Sequence, residues 1–298
     1  MHVLARGDVL QRLRLITGLI LFTFVATHFF NHALGLVSLE AMNAMQGWRK
    51  VVTRSWLGSG ILLFAFLTHI GLALYKLSLR LTWKLPVWEA LQIVSGLSVP
   101  LLLLTHVIYN RGAATLAGTE DTYTFELANI WPAFAWMFST MLVIVWVHAC
   151  IGLHYWLGLA SWYRQVRPVL FALAVALPVA ALAGFSVAGR QVAAEVSDSA
   201  RWHDLQAASR APDAAAGTRL SVLHDRLTVG FLLLLGLALS VPVARTLWRR
   251  AGAKVEVTYR GGPVVRVPCG PTLLEISRMK DVPHTSVCGG RARCSTCR

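Results

Sequence analysis

Long apolar runs alternate with short polar segments along most of this chain. A helix needs about 20 apolar residues to cross the hydrocarbon core of a bilayer, and six runs reach that length. They lie at about residues 14–36, 56–79, 88–109, 133–158, 168–188 and 227–247. The pattern therefore predicts an all-α membrane protein with six transmembrane helices.

The composition agrees with a membrane location. Of the 298 residues, 56% are hydrophobic and 14% are charged, whereas soluble proteins carry about 25% charged residues. So few charges cannot cover a water-facing surface, which excludes a wholly soluble or disordered chain. The net charge of +14 suggests basic loops that face anionic lipid. No basic stripe interleaved with aromatic residues supports binding to nucleic acid.

The loops between the runs predict an orientation. With six spans, both termini lie on one side of the bilayer, and Lys and Arg are more frequent on that side than on the other. Basic loops favour the cytoplasm, so we expect cytoplasmic termini. Residues 189–226 then form an extracytoplasmic loop, in which we expect a short helical hairpin at 191–225.

Histidines are concentrated in the first four predicted spans, and the last two predicted spans contain none. Ionisable groups are costly inside a bilayer and usually face the bundle interior with a definite role. The histidines within or at the ends of these four spans are His28, His32, His69, His106, His148 and His154.

The depth of these histidines predicts two layers. A rise of about 1.5 Å per residue places His69 and His148 in an inner layer nearer the termini, and His28, His32 and His106 in an outer layer. Alternate helices of a four-helix bundle face each other across its core, so each layer can hold one haem between two imidazoles. We therefore predict two b-type haems. Spacing does not decide between His28 and His32, which are one turn apart on the same face.

Other roles for these histidines fit the sequence less well. Zinc prefers a compact tetrahedral set of ligands, whereas these residues are spread over two depths. A proton relay would normally include intramembrane carboxylates, and the first four spans have none well inside. His154 lies on a different face from His148, and we expect it to meet a haem propionate, a lipid headgroup or a quinone.

The pattern changes after Lys254, where apolar and polar residues begin to alternate. Residues 255–260 and 264–267, separated by two glycines, predict a β-hairpin. Residues 272–280 predict a short helix, with Thr272 as its N-cap and Glu275 three residues later.

The last residues carry the most specific motif of the chain. Cys288, Cys294 and Cys297 are spaced so that three thiolates can hold a [2Fe–2S] cluster, and the glycines between them allow backbone N–H groups to turn toward the sulfides. A zinc site would need a fourth ligand such as Cys269 or His284. Otherwise Cys269 is predicted to be a buried thiol at the end of a strand.

The segment Val282-Pro-His-Thr-Ser-Val-Cys-Gly-Gly-Arg-Ala-Arg-Cys-Ser-Thr-Cys297 resembles the cluster loop of [2Fe–2S] ferredoxins with adrenodoxin-like spacing. The hairpin and helix before it resemble the opening of the β-grasp fold of that family. The resemblance implies that residues 251–298 begin a ferredoxin-like α+β domain. The fourth cysteine of the family and its later strands would follow Arg298, so the domain is incomplete here.

The membrane part resembles the dihaem cytochrome b anchors of succinate dehydrogenase and quinol:fumarate reductase. The stretch Thr17-Gly-Leu-Ile-Leu21 followed by His28 is similar to the first helix of that family. The resemblance implies a dihaem bundle at residues 1–162, with His28 rather than His32 as a ligand. The axial pairs that it implies are His28 with His106 and His69 with His148.

Such an anchor, with two further spans at residues 163–250 and a ferredoxin, is similar to one group of bacterial class III adenylate cyclases. In that group a cytoplasmic cyclase domain follows, but the paired metal-binding aspartates that a cyclase needs are absent from these 298 residues. The resemblance implies a homodimeric sensor of quinone redox state in the bacterial inner membrane, which regulates conversion of ATP to cyclic AMP.

Two other functions remain open from the sequence. An electron-transfer cytochrome b fused to a ferredoxin would oxidise quinol and reduce a soluble partner, and a plain anchor would use its histidines for structure alone. The position of a quinone site is also open, since each candidate residue is more simply explained as an interfacial anchor. These candidates are Tyr109, Asn110 and Arg111 near the outer layer, and Trp83, Lys84 and Trp88 near the inner layer.

Overall fold

A computed structural model describes residues 7–286 of the chain. The three cysteines of the predicted cluster motif, Cys288, Cys294 and Cys297, lie outside the described residues. The [2Fe–2S] site therefore stays a prediction.

The described residues are mostly helical, with one β-hairpin near their end. The helices in chain order are α1 (Val9–Ala33), α2 (Leu39–Thr53), α3 (Trp56–Ser78), α4 (Val87–Val107), α5 (Ala113–Leu116), α6 (Tyr123–Ile130), α7 (Ala135–Leu157), α8 (Tyr163–Glu195), α9 (Ser199–Ala208), α10 (Ala214–Arg250) and α11 (Leu273–Met279). The strands are β1 (Lys254–Thr258) and β2 (Val264–Pro268).

Six of these helices, α1, α3, α4, α7, α8 and α10, are long and apolar enough to cross a membrane. They correspond one to one with the six predicted runs, which confirms a multi-pass helical membrane protein. We call the side on which α1 begins and α10 ends the inner side, and the opposite side the outer side.

Helices α8 and α10 extend well beyond their apolar runs. The apolar run of each helix marks only the part that matches the thickness of the bilayer. The Ala-rich residues beyond it favour helix, so both helices continue on the outer side. The helical hairpin predicted at residues 191–225 is therefore wrong: only residues 196–213 separate α8 from α10, and they hold the single helix α9. His224 lies inside α10, so the sixth span does contain a histidine.

The first and third spanning helices, α1 and α4, make many of the contacts that hold the bundle together. Helix α1 packs against α3 and α8, helix α4 packs against α7, and α1 also touches α7. Helix α10 packs against both α3 and α4. The last two spans therefore cover the bundle of the first four directly, and α10 connects the helices of the second and third spans.

Two short amphipathic helices, α2 and α6, cover the outer side of the bundle. Each begins at a capping hydroxyl, because the Ser38 side chain accepts from the N–H of Ala41 and the Thr122 side chain accepts from the N–H of Phe125. They pack on each other, and their apolar side chains form a buried cluster with α8. This cap holds polar residues of α2 and α6 over the outer ends of the spanning helices.

The hairpin and helix predicted after Lys254 are confirmed. Strands β1 and β2 pair antiparallel with Val257 opposite Val265, and Thr272 and Glu275 form a capping box at the start of α11. Two short strands do not by themselves show a ferredoxin fold. Cys269 follows β2 directly, as predicted, but it is exposed, so the predicted burial of this thiol is wrong.

Backbone contact between α1 and α8 depends on glycine. A Cβ atom at Gly184 would overlap the carbonyl oxygen of His32 and lie 3.1 Å from that of Ala33. Glycine at this position therefore lets α8 rest directly on the end of α1, where large side chains would keep the helices apart.

We expect Gly184→Ala to lower the apparent melting temperature of the detergent-solubilised protein. Overpacking costs about 1–3 kcal/mol, which outweighs the gain of up to about 1 kcal/mol in helix propensity. Gly236→Ala is the matched control, because Gly236 lies in α10 with no atom within 4 Å of its added Cβ. Equal melting temperatures for the two variants would contradict the close contact.

Candidate functional site

The inner layer brings together two of the predicted histidines, which we call the inner pair. His69 of α3 and His148 of α7 have ring centroids 6.4 Å apart, and their ring planes are nearly perpendicular, at 89°. The two helices are not neighbours in sequence, so the bundle itself creates the pair. This is the arrangement expected for two side chains that face each other across a bundle core.

Each ring of the inner pair is held by a carbonyl oxygen of a neighbouring helix. His69 Nδ1 lies 3.2 Å from the backbone oxygen of Arg14, and His148 Nδ1 lies 3.1 Å from that of Gln92. Because a carbonyl oxygen only accepts, Nδ1 carries the proton in both rings. The lone pair of each neutral imidazole is therefore on Nε2, the tautomer that binds a metal with its other nitrogen fixed by a hydrogen bond.

The same two-residue pattern supports both rings. Thr17-Gly18 in α1 and Ser95-Gly96 in α4 each place a hydroxyl 3.4 Å from the histidine Nδ1. A Cβ atom on Gly18 would lie 3.0 Å from Cε1 of its histidine, and one on Gly96 would lie 2.6 Å from the other. The two glycines thus make room for the rings, and the two halves of the site repeat each other.

The separation of the inner rings suits a shared metal ion. A metal–imidazole bond is about 2 Å long, and the nitrogen lies about 1 Å from the ring centre, so two imidazoles on opposite sides of one ion have centroids about 6 Å apart. The inner pair, at 6.4 Å, fits this spacing. Two imidazoles with free Nε2 atoms are the donor set of a bis-histidine haem.

The outer layer places His28 of α1 beside His106 at the end of α4. Their ring centroids are 5.9 Å apart and their planes are inclined at 40°; we call them the outer pair. His32 lies next to His28, with centroids 4.6 Å apart, but its other ring contacts are with Tyr123 and aromatic side chains on its far flank. His28 is therefore the histidine of α1 whose ring contacts that of His106 in the described structure.

The Nδ1 atoms of the outer pair face nitrogen atoms instead of carbonyl oxygens. Arg49 of α2 donates from Nη1 to His28 Nδ1 over 3.1 Å, and Asn110 Nδ2 lies 2.9 Å from His106 Nδ1. The Arg49 contact puts the proton of a neutral His28 on Nε2. The inner pair is therefore the one already in the metal-binding tautomer.

Several buried polar atoms around the outer pair have no hydrogen-bond partner in the described part of the chain. Buried polar groups are normally paired, so these atoms are available to a further polar group. These atoms are His32 Nδ1, Arg49 Nε, Asn110 Oδ1, Tyr123 Oη and Glu126 Oε1.

Charged residues in and next to α2 and α6 form a cluster of ion pairs. Lys50 pairs with Asp121 at 2.8 Å, and Arg54 pairs with the same carboxylate. Burial raises the pKa of Glu126 to about 8, against the smaller opposing effects of Lys50 and Arg54. Glu126 is therefore mostly protonated at neutral pH, and the basic residues of α2 keep an excess of positive charge next to the bundle.

The remaining predicted residues have other neighbours. His154 is exposed, with its Nδ1 2.8 Å from the hydroxyl of Tyr163. Of the quinone candidates, Tyr109 contacts His224 with ring centroids 5.9 Å apart and planes inclined at 37°, and Arg111 donates to Ser59. Trp83 and Trp88 are exposed at 51% and 63%, as expected of interfacial anchors, while Lys84 pairs with Asp281.

Sequence reasoning missed His224, which links α10 to α4. Its Nε2 lies 3.1 Å from the hydroxyl of Thr105, the residue directly before His106. The outer pair is therefore connected to the helix that leads into the C-terminal hairpin. Extending the predicted sixth helix through the Ala-rich residues before position 227 would have placed His224 in that helix.

Within residues 7–286, no group of three or more His, Cys, Asp or Glu side chains is arranged to hold a metal ion. Cys150 and Cys269 are free thiols, and His284 Nδ1 lies 3.0 Å from the hydroxyl of Ser277. The geometry thus offers two imidazole pairs as its candidate cofactor sites.

Comparison of the chain with models of protein families, with curated proteins and with solved structures found no match.

We expect the stability of the protein to depend on pH through Glu126. Its pKa is about 8 in the folded protein and near 4.5 without burial, so the folded state holds a proton that the unfolded chain releases between these values. Stability should therefore fall as pH rises from about 5 to 8. Melting temperatures across this range should show a smaller fall for Glu126→Gln.

Glu256→Gln is the control for this measurement, since Glu256 is exposed on β1. A Glu126→Gln variant with the same pH profile as the unsubstituted chain would show that Glu126 is already ionised in the folded protein.

Proposed function

We propose that this chain is the redox-sensing membrane anchor of an adenylate cyclase, with two b-type haems and a quinone as its input. The observation that carries the proposal is the inner pair: two imidazoles at the spacing of a shared metal ion, each with Nδ1 fixed by a carbonyl oxygen. A structural histidine would also need its N–H paired, but it would not need a second imidazole at this spacing.

The inner pair would hold one haem through the Nε2 atoms of His69 and His148. Haem iron with both axial positions filled by histidine exchanges single electrons without binding a further ligand. The protein's contribution is to fix the two rings, since the carbonyl oxygens of Arg14 and Gln92 hold their orientation and raise the basicity of the coordinating nitrogens.

The outer pair would hold the second haem, and α2 supplies a counter-charge for it. The unpartnered Nε of Arg49 lies close to His28, to which the same guanidinium donates. A buried guanidinium pairs readily with a carboxylate, so Arg49 is the residue that would bind a propionate of this haem. That contact would draw the guanidinium away from His28 and free the ring for ligation.

The path to an output runs through α10 and the C-terminal hairpin. Helix α10 contacts α4 next to the outer pair through His224 and ends at the hairpin, where the ferredoxin-like domain and its cluster would follow. We place the termini in the cytoplasm of a bacterial cell, with the chain in the inner membrane as a homodimer. A cyclase domain joined to the C-terminal end would convert ATP to cyclic AMP.

The first test is a reduced-minus-oxidised absorption spectrum of protein purified from a haem-replete host. Two bound b-type haems per chain support the proposal, and protein without haem overturns it. Addition of a short-chain quinol to the oxidised protein should reduce haem. A soluble acceptor that is reduced by the same protein, with no cyclase joined to the chain, would instead support the electron-transfer cytochrome.

Substitution of one inner histidine should remove one haem. We expect His69→Ala and His148→Ala to fall from two haems per chain to about one, because the outer pair lies on other helices. Pyridine haemochrome analysis measures the ratio. His154→Ala is the control, since this exposed ring bonds only to Tyr163 among the described contacts, and it should keep two haems. Two haems per chain in both His69→Ala and His148→Ala would refute the pairing of these two histidines.

The two haems should also differ in their electron paramagnetic resonance spectra. The g anisotropy of low-spin ferric haem depends on the angle between its axial imidazole planes, which is 89° in the inner pair and 40° in the outer pair. We expect two distinct low-spin signals, the more anisotropic of which disappears in His148→Ala. A single signal that both haems share would contradict the ring geometry.

A further inference from the structure

The inner end of α4 carries a buried carboxylate, Glu89, which is only 7% exposed. It pairs with Arg80 of the preceding loop and with Arg278 of α11, whose Nη1 lies 3.1 Å from Glu89 Oε2. One carboxylate in the first turn of a spanning helix therefore joins the membrane bundle to a helix almost two hundred residues later in the chain.

Glu89 shares a helix face with the residues that hold His148. Glu89, Gln92 and Gly96 are spaced i, i+3 and i+7, so they lie on one face of α4. Gln92 accepts from His148 Nδ1, and Gly96 leaves room for its ring. A movement of the first two turns of α4 therefore reaches this imidazole directly.

Helix α11 is in turn fixed to its own hairpin. Ser277 is fully buried, and its hydroxyl lies 2.8 Å from that of Tyr259 and 3.0 Å from His284 Nδ1. A second pair, Lys84 with Asp281 at 2.5 Å, is exposed on both sides. The hairpin and α11 thus move together. Of the two described ion pairs that join them to the bundle, Arg278–Glu89 is the less exposed to solvent and is therefore less screened by salt.

We propose that Glu89 positions His148 through the first turns of α4, and that the docking of α11 on Glu89 through Arg278 controls this positioning. The inference rests on the proposed function, in which His148 is an axial ligand. Docking fixes the first turns of α4, and these turns fix the imidazole. Because coupling between two equilibria is reciprocal, oxidation or reduction at the inner pair also changes how firmly α11 is docked.

Arg278→Gln in the full haem-loaded chain tests this coupling. Glu89 keeps Arg80 as a partner in this variant, so no buried carboxylate is left alone and the bundle should fold. We expect the inner electron paramagnetic resonance signal and the midpoint potential of the inner haem to shift, while the outer signal stays in place. Arg278→Lys should restore both values in large part. Lys84→Gln, which breaks the exposed pair, is the matched control and should leave them unchanged.

Hydrogen–deuterium exchange of residues 273–279 measures docking itself. We expect several-fold faster exchange in Arg278→Gln, and a difference between the oxidised and reduced forms of the unsubstituted chain that this variant loses. An unshifted inner signal in Arg278→Gln would overturn the positioning role, as would equal exchange in the two redox forms.

Failure of the proposed function is distinguishable from failure of this inference. Unsubstituted protein without haem would overturn the proposed function, and the ¹⁵N resonances of His148 would then report its position instead. A shift of those resonances in Arg278→Gln, absent in Lys84→Gln, would still support positioning by Glu89. Identical resonances in both variants would refute it.

Discussion

The hydrogen bond from an imidazole to the carbonyl oxygen of an adjacent helix is the constraint on which the inner half of this bundle depends. A carbonyl oxygen accepts only, so it fixes both the tautomer and the orientation of His69 and His148. The bond needs helices close enough for the ring to reach the backbone, and Gly18 and Gly96 provide that approach. Packing of α1 on α3 and of α4 on α7 follows from the same requirement.

Helix α4 combines more of these contacts than any other described element. Its outer end carries His106, its middle supports the ring from α7, and its inner end holds the carboxylate that meets α11. Thr105 joins the same helix to α10. Helix α4 thus touches both imidazole pairs and both contacts that lead to the C-terminal segment, and Pro100 lies within it between the two layers.

The spans, the hairpin and the capped helix were all predictable because they depend on local hydropathy and capping. Helical rise predicted the two layers, while the choice of His28 over His32 came from the resemblance. The rings of His28 and His106, and of His69 and His148, lie side by side. The contributions of Arg49 and Glu126 were not predictable, because α2 and α6 had been assigned to loops and their side chains reach the bundle only through tertiary packing. The Thr17-Gly18 and Ser95-Gly96 repeat was visible in the sequence, but a two-residue pattern is too short to identify a site.

Helix α10 is long enough to act as a lever between the outer and inner sides of the bundle. It runs as one helix from Ala214 to Arg250, with Pro242 near its inner end, and about 39 Å of it, at 1.5 Å per residue, lies between His224 and that end. A lever of that length converts a tilt of about 5° near Thr105 into a swing of about 3 Å at the far tip. Such a displacement exceeds the tolerance of a hydrogen bond, so a small rearrangement beside the outer pair would change the contacts at the inner end of this helix.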